Sequence, residues 1–170
     1  MIKLNHFTLT LAISFWIYYF IFSINLAFTF LLSLITAMLS SLPDIDIKII
    51  KQINSYNRKT LYLLYPITFL LKLIFKHRTI THSIWLPLFL LLLDIIFNFN
   101  NIIIDYSLRV FYIAIFLHII EDATTKKGVK IFFPIPFNLR LFVFSTSSKI
   151  NFLLIQLISY SIIFMFFLNI

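Results

Sequence analysis

The side chains able to do chemistry are few, and most stand at the ends of long apolar runs. The 170-residue chain contains four histidines and six acidic residues. Those at the ends of the runs are His6, Asp44, Asp46, His77, His82, His118 and Asp122. Imidazole nitrogens and carboxylate oxygens are the usual ligands of zinc and manganese. The sequence therefore predicts a site for one or two divalent metal ions, with zinc as the first choice and manganese or magnesium as alternatives.

The spacing within these residues supports a shared site. His118 and Asp122 are four apart, so on a helix both side chains project from one face and can hold one ion from two points. Ionisable residues in an apolar span cost free energy and are usually functional. Asp44 and Asp46 follow Pro43 and would point the same way in an extended segment. The alternative for these two aspartates is that they cap a turn.

Two residues are predicted to act on substrate. Arg78 has no lone pair to offer a metal, and its planar donor fork suits a phosphate or a carboxylate. In the second case Arg78 would pair with a carboxylate such as Asp44 and be structural. Asp46, if it is not a ligand, can serve as a general base. A divalent metal would lower the pKa of a bound water and polarise a phosphoryl oxygen.

Apolar segments must position these residues. Hydrophobic residues make up 61% of the chain, and the mean hydropathy is +1.01; soluble domains are about 45–50% apolar. This composition predicts an all-helical integral membrane protein with a single domain over residues 1–170. Because a span needs about 20 residues, the run from Phe7 to Leu42 predicts two spans with a break at Ser23–Asn25. Further spans are expected over Ser83–Ile104, Tyr106–Ile120 and Ile150–Leu168, with an interfacial helix over Leu61–Phe75.

The basic residues predict the orientation of these spans. With five spans, thirteen of the fourteen lysines and arginines fall on one side, and Arg109 falls on the other. By the positive-inside rule that side is cytoplasmic, and every candidate ligand lies on it. A four-span arrangement with one long first helix is the main alternative, and it would place Lys3 and His6 on the opposite face.

Other features exclude some classes. The absence of cysteine excludes disulfides, thiolate metal sites and a cysteine nucleophile. The net charge of +8 comes from basic residues in loops, which predicts contact with anionic lipid head groups and not with nucleic acid. Gly128, the single glycine, predicts a turn with positive φ that folds the following loop back over His118 and Asp122. Nothing in the sequence sets an oligomeric state.

Three ordered motifs carry a family resemblance. They are Leu42-Pro43-Asp44-Ile45-Asp46, then His77-Arg78-x-x-Thr81-His82-Ser83, then His118-x-x-x-Asp122-x-x-Thr125-x-x-Gly128-Val129 with Pro134 shortly after. Together with the early His6, they resemble the YdjM-like family of LexA-regulated bacterial inner-membrane proteins. One departure is Ile47, where members of that family often carry histidine.

The resemblance implies a function. The YdjM-like family is described as predicted membrane-bound metal-dependent hydrolases, and it is grouped with the all-helical, zinc-dependent phospholipase C superfamily. The expectation is hydrolysis of phosphoesters, with a membrane phospholipid as the natural substrate. A transporter or a metal-binding protein without hydrolysis is the alternative, and it predicts ionisable residues in mid-span. Only Asp94 has such a position, which favours the enzyme.

Overall fold

The computed structural model describes residues 3–44, 80–97, 101–141 and 149–168. In these ranges the chain is helical, as predicted, apart from turns and one isolated β-bridge between Val129 and Leu139. The five α-helices are α1 (Lys3–Trp16), α2 (Leu26–Leu39), α3 (Trp85–Phe97), α4 (Ile102–Ala123) and α5 (Lys149–Leu168). The interfacial helix predicted over Leu61–Phe75 lies outside the described residues.

The first long apolar run is a helical hairpin, as predicted. A π-helical turn, Ile17–Ile21, extends α1, and the chain then reverses at Ser23, whose φ of 52° no helix accommodates. Asn25 caps the next helix, because its side-chain oxygen accepts a hydrogen bond from the backbone N–H of Phe28. Ser23 and Asn25 therefore divide the apolar run into two helices, so the run does not form a single long helix.

The predicted boundary between the third and fourth spans was wrong. α3 ends at Phe97, and α4 begins at Ile102 instead of at Tyr106. The reason is Asn101, whose side-chain oxygen accepts hydrogen bonds from the N–H groups of Ile103 and Ile104. Hydropathy does drop here, since asparagine occupies positions 98, 100 and 101, and an N-cap at Asn101 is the helix-start signal that the predicted boundary overlooked.

The helices bury small polar side chains and expose large apolar ones. On α2 and at its C-cap, Ser40, the buried residues include Thr29, Ser33, Thr36 and Ser40, and the exposed ones include Phe28, Phe30, Leu31 and Met38. Each of the four buried hydroxyls donates to a nearby backbone carbonyl. Small residues at helix contacts and apolar side chains facing outward are typical of packing inside a bilayer.

Three segments are long and apolar enough to cross a membrane. They are Leu4–Ile21, Leu26–Asp44 and Ile102–Ala123, and shorter apolar helices cover Trp85–Phe97 and Leu153–Phe166. Three of the five predicted spans are therefore supported by length and composition.

The contacts between helices place polar pairs toward both ends of the bundle. α1 packs against α2 and α5, and α4 packs against α2 and α3. Gln156, in the first half of α5, donates to Asn5 at the start of α1. At the far end of α4, Arg109 lies 2.9 Å from Asp105 and 3.7 Å from Asp94 of α3. Arg109 thus pairs with Asp94 and Asp105 away from the predicted ligands.

Candidate metal centre

Three side chains from three segments converge at one end of the helices. His82 Nε2 lies 3.3 Å from His118 Nε2, and Asp44 Oδ1 lies 3.7 Å from the first nitrogen and 3.8 Å from the second. Both imidazoles are fully buried, and Asp44 is partly exposed. The three donor atoms lie within 4.8 Å of one another and can hold a metal ion.

These separations fit a shared ion. Zinc binds nitrogen and oxygen ligands at about 2.0–2.1 Å, so two donors in tetrahedral arrangement lie roughly 3.3 Å apart. Two imidazole lone pairs facing each other at the observed 3.3 Å repel unless a proton or a cation lies between them. Three protein ligands are also the number that catalytic zinc sites use, with the fourth position left for water.

Asp122 and His6 extend the cluster. Asp122 Oδ2 lies 3.7 Å from His82 Nε2, and its Oδ1 lies 3.4 Å from His6 Nε2. The His6 ring stacks on the His118 ring at 4.5 Å between centroids. His6 Nε2 is buried and makes no hydrogen bond to any residue in the described ranges. A ring nitrogen held beside a carboxylate and a second imidazole in this way suits metal ligation.

Glu121 was missing from the predicted site, and the structure places it directly behind His6. Its Oε2 lies 2.5 Å from His6 Nδ1, and its Oε1 accepts a hydrogen bond of 2.8 Å from Thr10. Because an ionised carboxylate only accepts hydrogen bonds, a neutral His6 carries its proton on Nδ1 and turns its Nε2 lone pair toward Asp122. Ligating histidines are commonly oriented by such carboxylates.

Two sequence signals mark the residues of this contact as candidates. Glu121 is an ionisable residue inside an apolar run, and Thr10 stands one helical turn after His6. Neither signal says that the first turn of α1 meets the last turns of α4, since this is a tertiary contact. Glu121 is fully buried, so its charge requires the partners that the contact provides.

Helix ends hold the ligands in place. His118 and Asp122 do share one face of α4, as predicted, because both reach His82. Thr125 secures the end of that helix by donating to the carbonyl of Asp122. Asp44 ends a 3-10 turn, Leu42–Asp44, instead of an extended segment, and the predicted alignment of its side chain with Asp46, which lies outside the described residues, stays a prediction. Pro43 favours such a turn because its ring fixes φ near −65°.

The loop after α4 turns at Gly128, as predicted. Its φ is +64°, and an added Cβ would lie 2.6 Å from the carbonyl oxygen of Leu139. Val129 then packs against Ile115 and Ile119 of α4, and Leu141 donates to the carbonyl of Ala123. The loop therefore returns over the end of α4 beside the cluster.

Five of the seven predicted ligands belong to the described part of the chain, and all five meet at this site. They are His6, Asp44, His82, His118 and Asp122. Asp46, His77 and Arg78 lie outside the described residues, so their roles stay predictions.

Comparison with known proteins gives one finding. No curated protein and no solved structure matches the chain. The family model for the YdjM inner membrane protein matches residues 1–169. With almost the whole length covered, the chain belongs to the YdjM inner membrane protein family.

Proposed function

We propose that this protein is a membrane-embedded, metal-dependent hydrolase that acts on phosphoesters of membrane lipids. The observation that carries the proposal is the convergence of Asp44, His82 and His118 within 4.8 Å at one end of apolar helices. Zinc is the metal best suited to two imidazoles and a carboxylate, with manganese or magnesium as alternatives. When bound, such an ion lowers the pKa of a water and polarises a phosphoryl oxygen.

The protein's own residues supply the remaining parts. Asp44, His82 and His118 would hold the ion, Asp122 and His6 beside them would add ligands, and Glu121 would orient His6. Burial of both imidazoles keeps bulk water from the ligands. Among the residues outside the described ranges, Arg78 binds the substrate anion and Asp46 accepts a proton from the attacking water. Site and substrate meet at head-group depth, because the ligands stand at the ends of apolar segments.

Hydrolysis is the first expected result. Purified protein in detergent, given mixed phospholipids or soluble phosphoesters with zinc, manganese or magnesium, should release product above a His118→Ala control.

Arg78→Lys should keep the metal but lower turnover by about 100-fold, the scale for removing one transition-state donor, because lysine offers charge without the planar fork. Absence of product with every metal, in protein that retains its metal, would favour the binding or transport alternative.

Orientation is the second expected result. We propose five crossings, with the amino terminus and the metal centre on the cytoplasmic side of the inner membrane, from the distribution of basic residues. The native chain lacks cysteine, so single cysteines label cleanly. Lys3→Cys and Ser55→Cys should react from the same side, and Asn98→Cys from the other. Labelling of positions 3 and 55 from opposite sides would rule out both the five-span arrangement and a role for His6.

A further inference from the structure

A cavity lies directly beside the candidate metal centre. Its volume is about 450 Å³, within the roughly 300–1,000 Å³ range of ligand pockets. The lining residues include Pro43, Thr81, Leu86, Leu90, Phe111 and Ile115. We call it the α3–α4 groove, since four of these residues belong to those two helices.

Two residues of the groove lining are the sequence neighbours of metal-centre residues. Pro43 immediately precedes Asp44, and Thr81 immediately precedes His82. The Thr81 hydroxyl also lies 3.0 Å from His82 Nδ1, so groove and ligand share a contact. The turns that carry Asp44 and His82 therefore also form one end of the groove.

From that end the groove runs away from the ligands along α4. Ile115 stands three residues before His118, and Phe111 stands seven before it. At 1.5 Å per helical residue, Phe111 lies about 10 Å along the helix from the ligand. The groove thus leads from the ligand end of α4 toward its middle.

The lining excludes charged ligands. Apart from Thr81, at the ligand end, the lining residues are apolar. An extended polar group would lose its hydrogen bonds to water there without replacement. A hydrocarbon chain makes no hydrogen bonds to water and therefore loses none in the groove. The surrounding bilayer supplies such chains at high concentration.

We propose that the α3–α4 groove binds one acyl chain of a membrane lipid whose phosphate group reaches the Asp44–His82–His118 cluster. This inference rests on the proposed function and adds a subsite to it, at which the lipid is recognised by its chain as well as by its phosphate. Because lipid tails are as apolar as the groove, the groove orients the substrate more than it adds affinity.

A second cavity provides a contrast. It has a volume of about 590 Å³ and is lined by α1, α2 and α5 residues such as Leu11, Phe30 and Ile163. Its lining includes no residue adjacent in sequence to Asp44, His82 or His118. An acyl chain bound there is therefore not expected to depend on the metal centre. Lipid bound at this cavity serves as an internal reference.

The test uses full-length protein in lipid nanodiscs and phosphatidylglycerol with a diazirine at mid-chain. After illumination, mass spectrometry should find the label on peptides of the α3–α4 groove, such as those with Leu86 and Phe111. Leu86→Trp, which fills the groove, should lower this labelling about tenfold, corresponding to roughly 1.4 kcal/mol of binding. Labelling at the second cavity should not change.

The matched control is Leu92→Trp, the same substitution on the same helix. Leu92 is 53% exposed and lies outside the groove, whereas Leu86 is 37% exposed and lines it. The control should label like the parent, and both variants should retain metal. Equal groove labelling in Leu86→Trp and the parent would overturn the proposal.

The outcomes separate this inference from the proposed function. Groove labelling that Leu86→Trp abolishes, without hydrolysis of any phosphoester, would keep the chain site and reject the hydrolase. Hydrolysis with identical chain-length preference in Leu86→Trp and the parent would keep the hydrolase and reject the groove.

Discussion

Replacing His118 with alanine is expected to remove nearly all bound metal from the purified protein. His118 Nε2 lies 3.3 Å from His82 Nε2 and 3.8 Å from Asp44 Oδ1, so its loss takes one of three converging donors. Even residues that only orient a ligand change metal affinity by 10–100-fold. Loss of the ligand itself should therefore cost more than about 100-fold, measured as metal per protein by mass spectrometry after dialysis.

The matched control is Asp105→Asn on the same helix. Asp105 pairs with Arg109 at 2.9 Å, near the other end of α4. Its replacement removes a carboxylate of the span without touching the cluster, so the metal content should equal that of the parent. Equal metal in His118→Ala and the parent, with both proteins folded, would reject the metal centre and the proposed function with it.

Replacing Glu121 with glutamine is expected to weaken metal binding about 10–100-fold, the usual cost of losing the group that orients a ligating histidine. Glu121 accepts from both His6 and Thr10. Glutamine can accept from His6 through its oxygen and donate to the Thr10 hydroxyl through its amide nitrogen, so it keeps the shape of the contact and loses the negative charge beside His6. The measurement is a metal titration of stripped protein.

Thermal unfolding of the metal-free protein distinguishes a role of Glu121 in orienting His6 from a role in stabilising the fold. A positioning role predicts a weaker metal affinity with a melting temperature close to that of the stripped parent. Thr10→Val should have a smaller effect on metal affinity, since it removes one donor and leaves the carboxylate in contact with His6. A Glu121→Gln protein that binds metal as the parent does would show that His6 is not held for metal binding.

Much of the site was predictable because helical periodicity and membrane energetics are local rules. Composition required a membrane protein, and the spacing of His118 and Asp122 required a shared face wherever α4 is helical. Gly128 predicted a turn with positive φ, and the observed φ is +64°. These features depend on neighbours within a few residues.

Two other features depended on local hydrogen bonds that the apolar pattern does not report. The third and fourth spans are separated by a cap at Asn101, before the predicted start at Tyr106, in a stretch where positions 98, 100 and 101 are asparagine. Asp44 lies in a 3-10 turn because of the local geometry after Ser41, which spacing alone does not report. In both cases local hydrogen bonds determined where the helix or turn lies.

The sequence by itself determined which residue types stand at the ends of which apolar segments, because the bilayer confines ionisable groups there. Only the tertiary structure decided which of them touch. The contact of His6 with Glu121 joins residues 115 positions apart, and it depends on the packing of the start of α1 against the end of α4. Packing of this kind is set by the shapes of whole helix faces, which no short motif encodes.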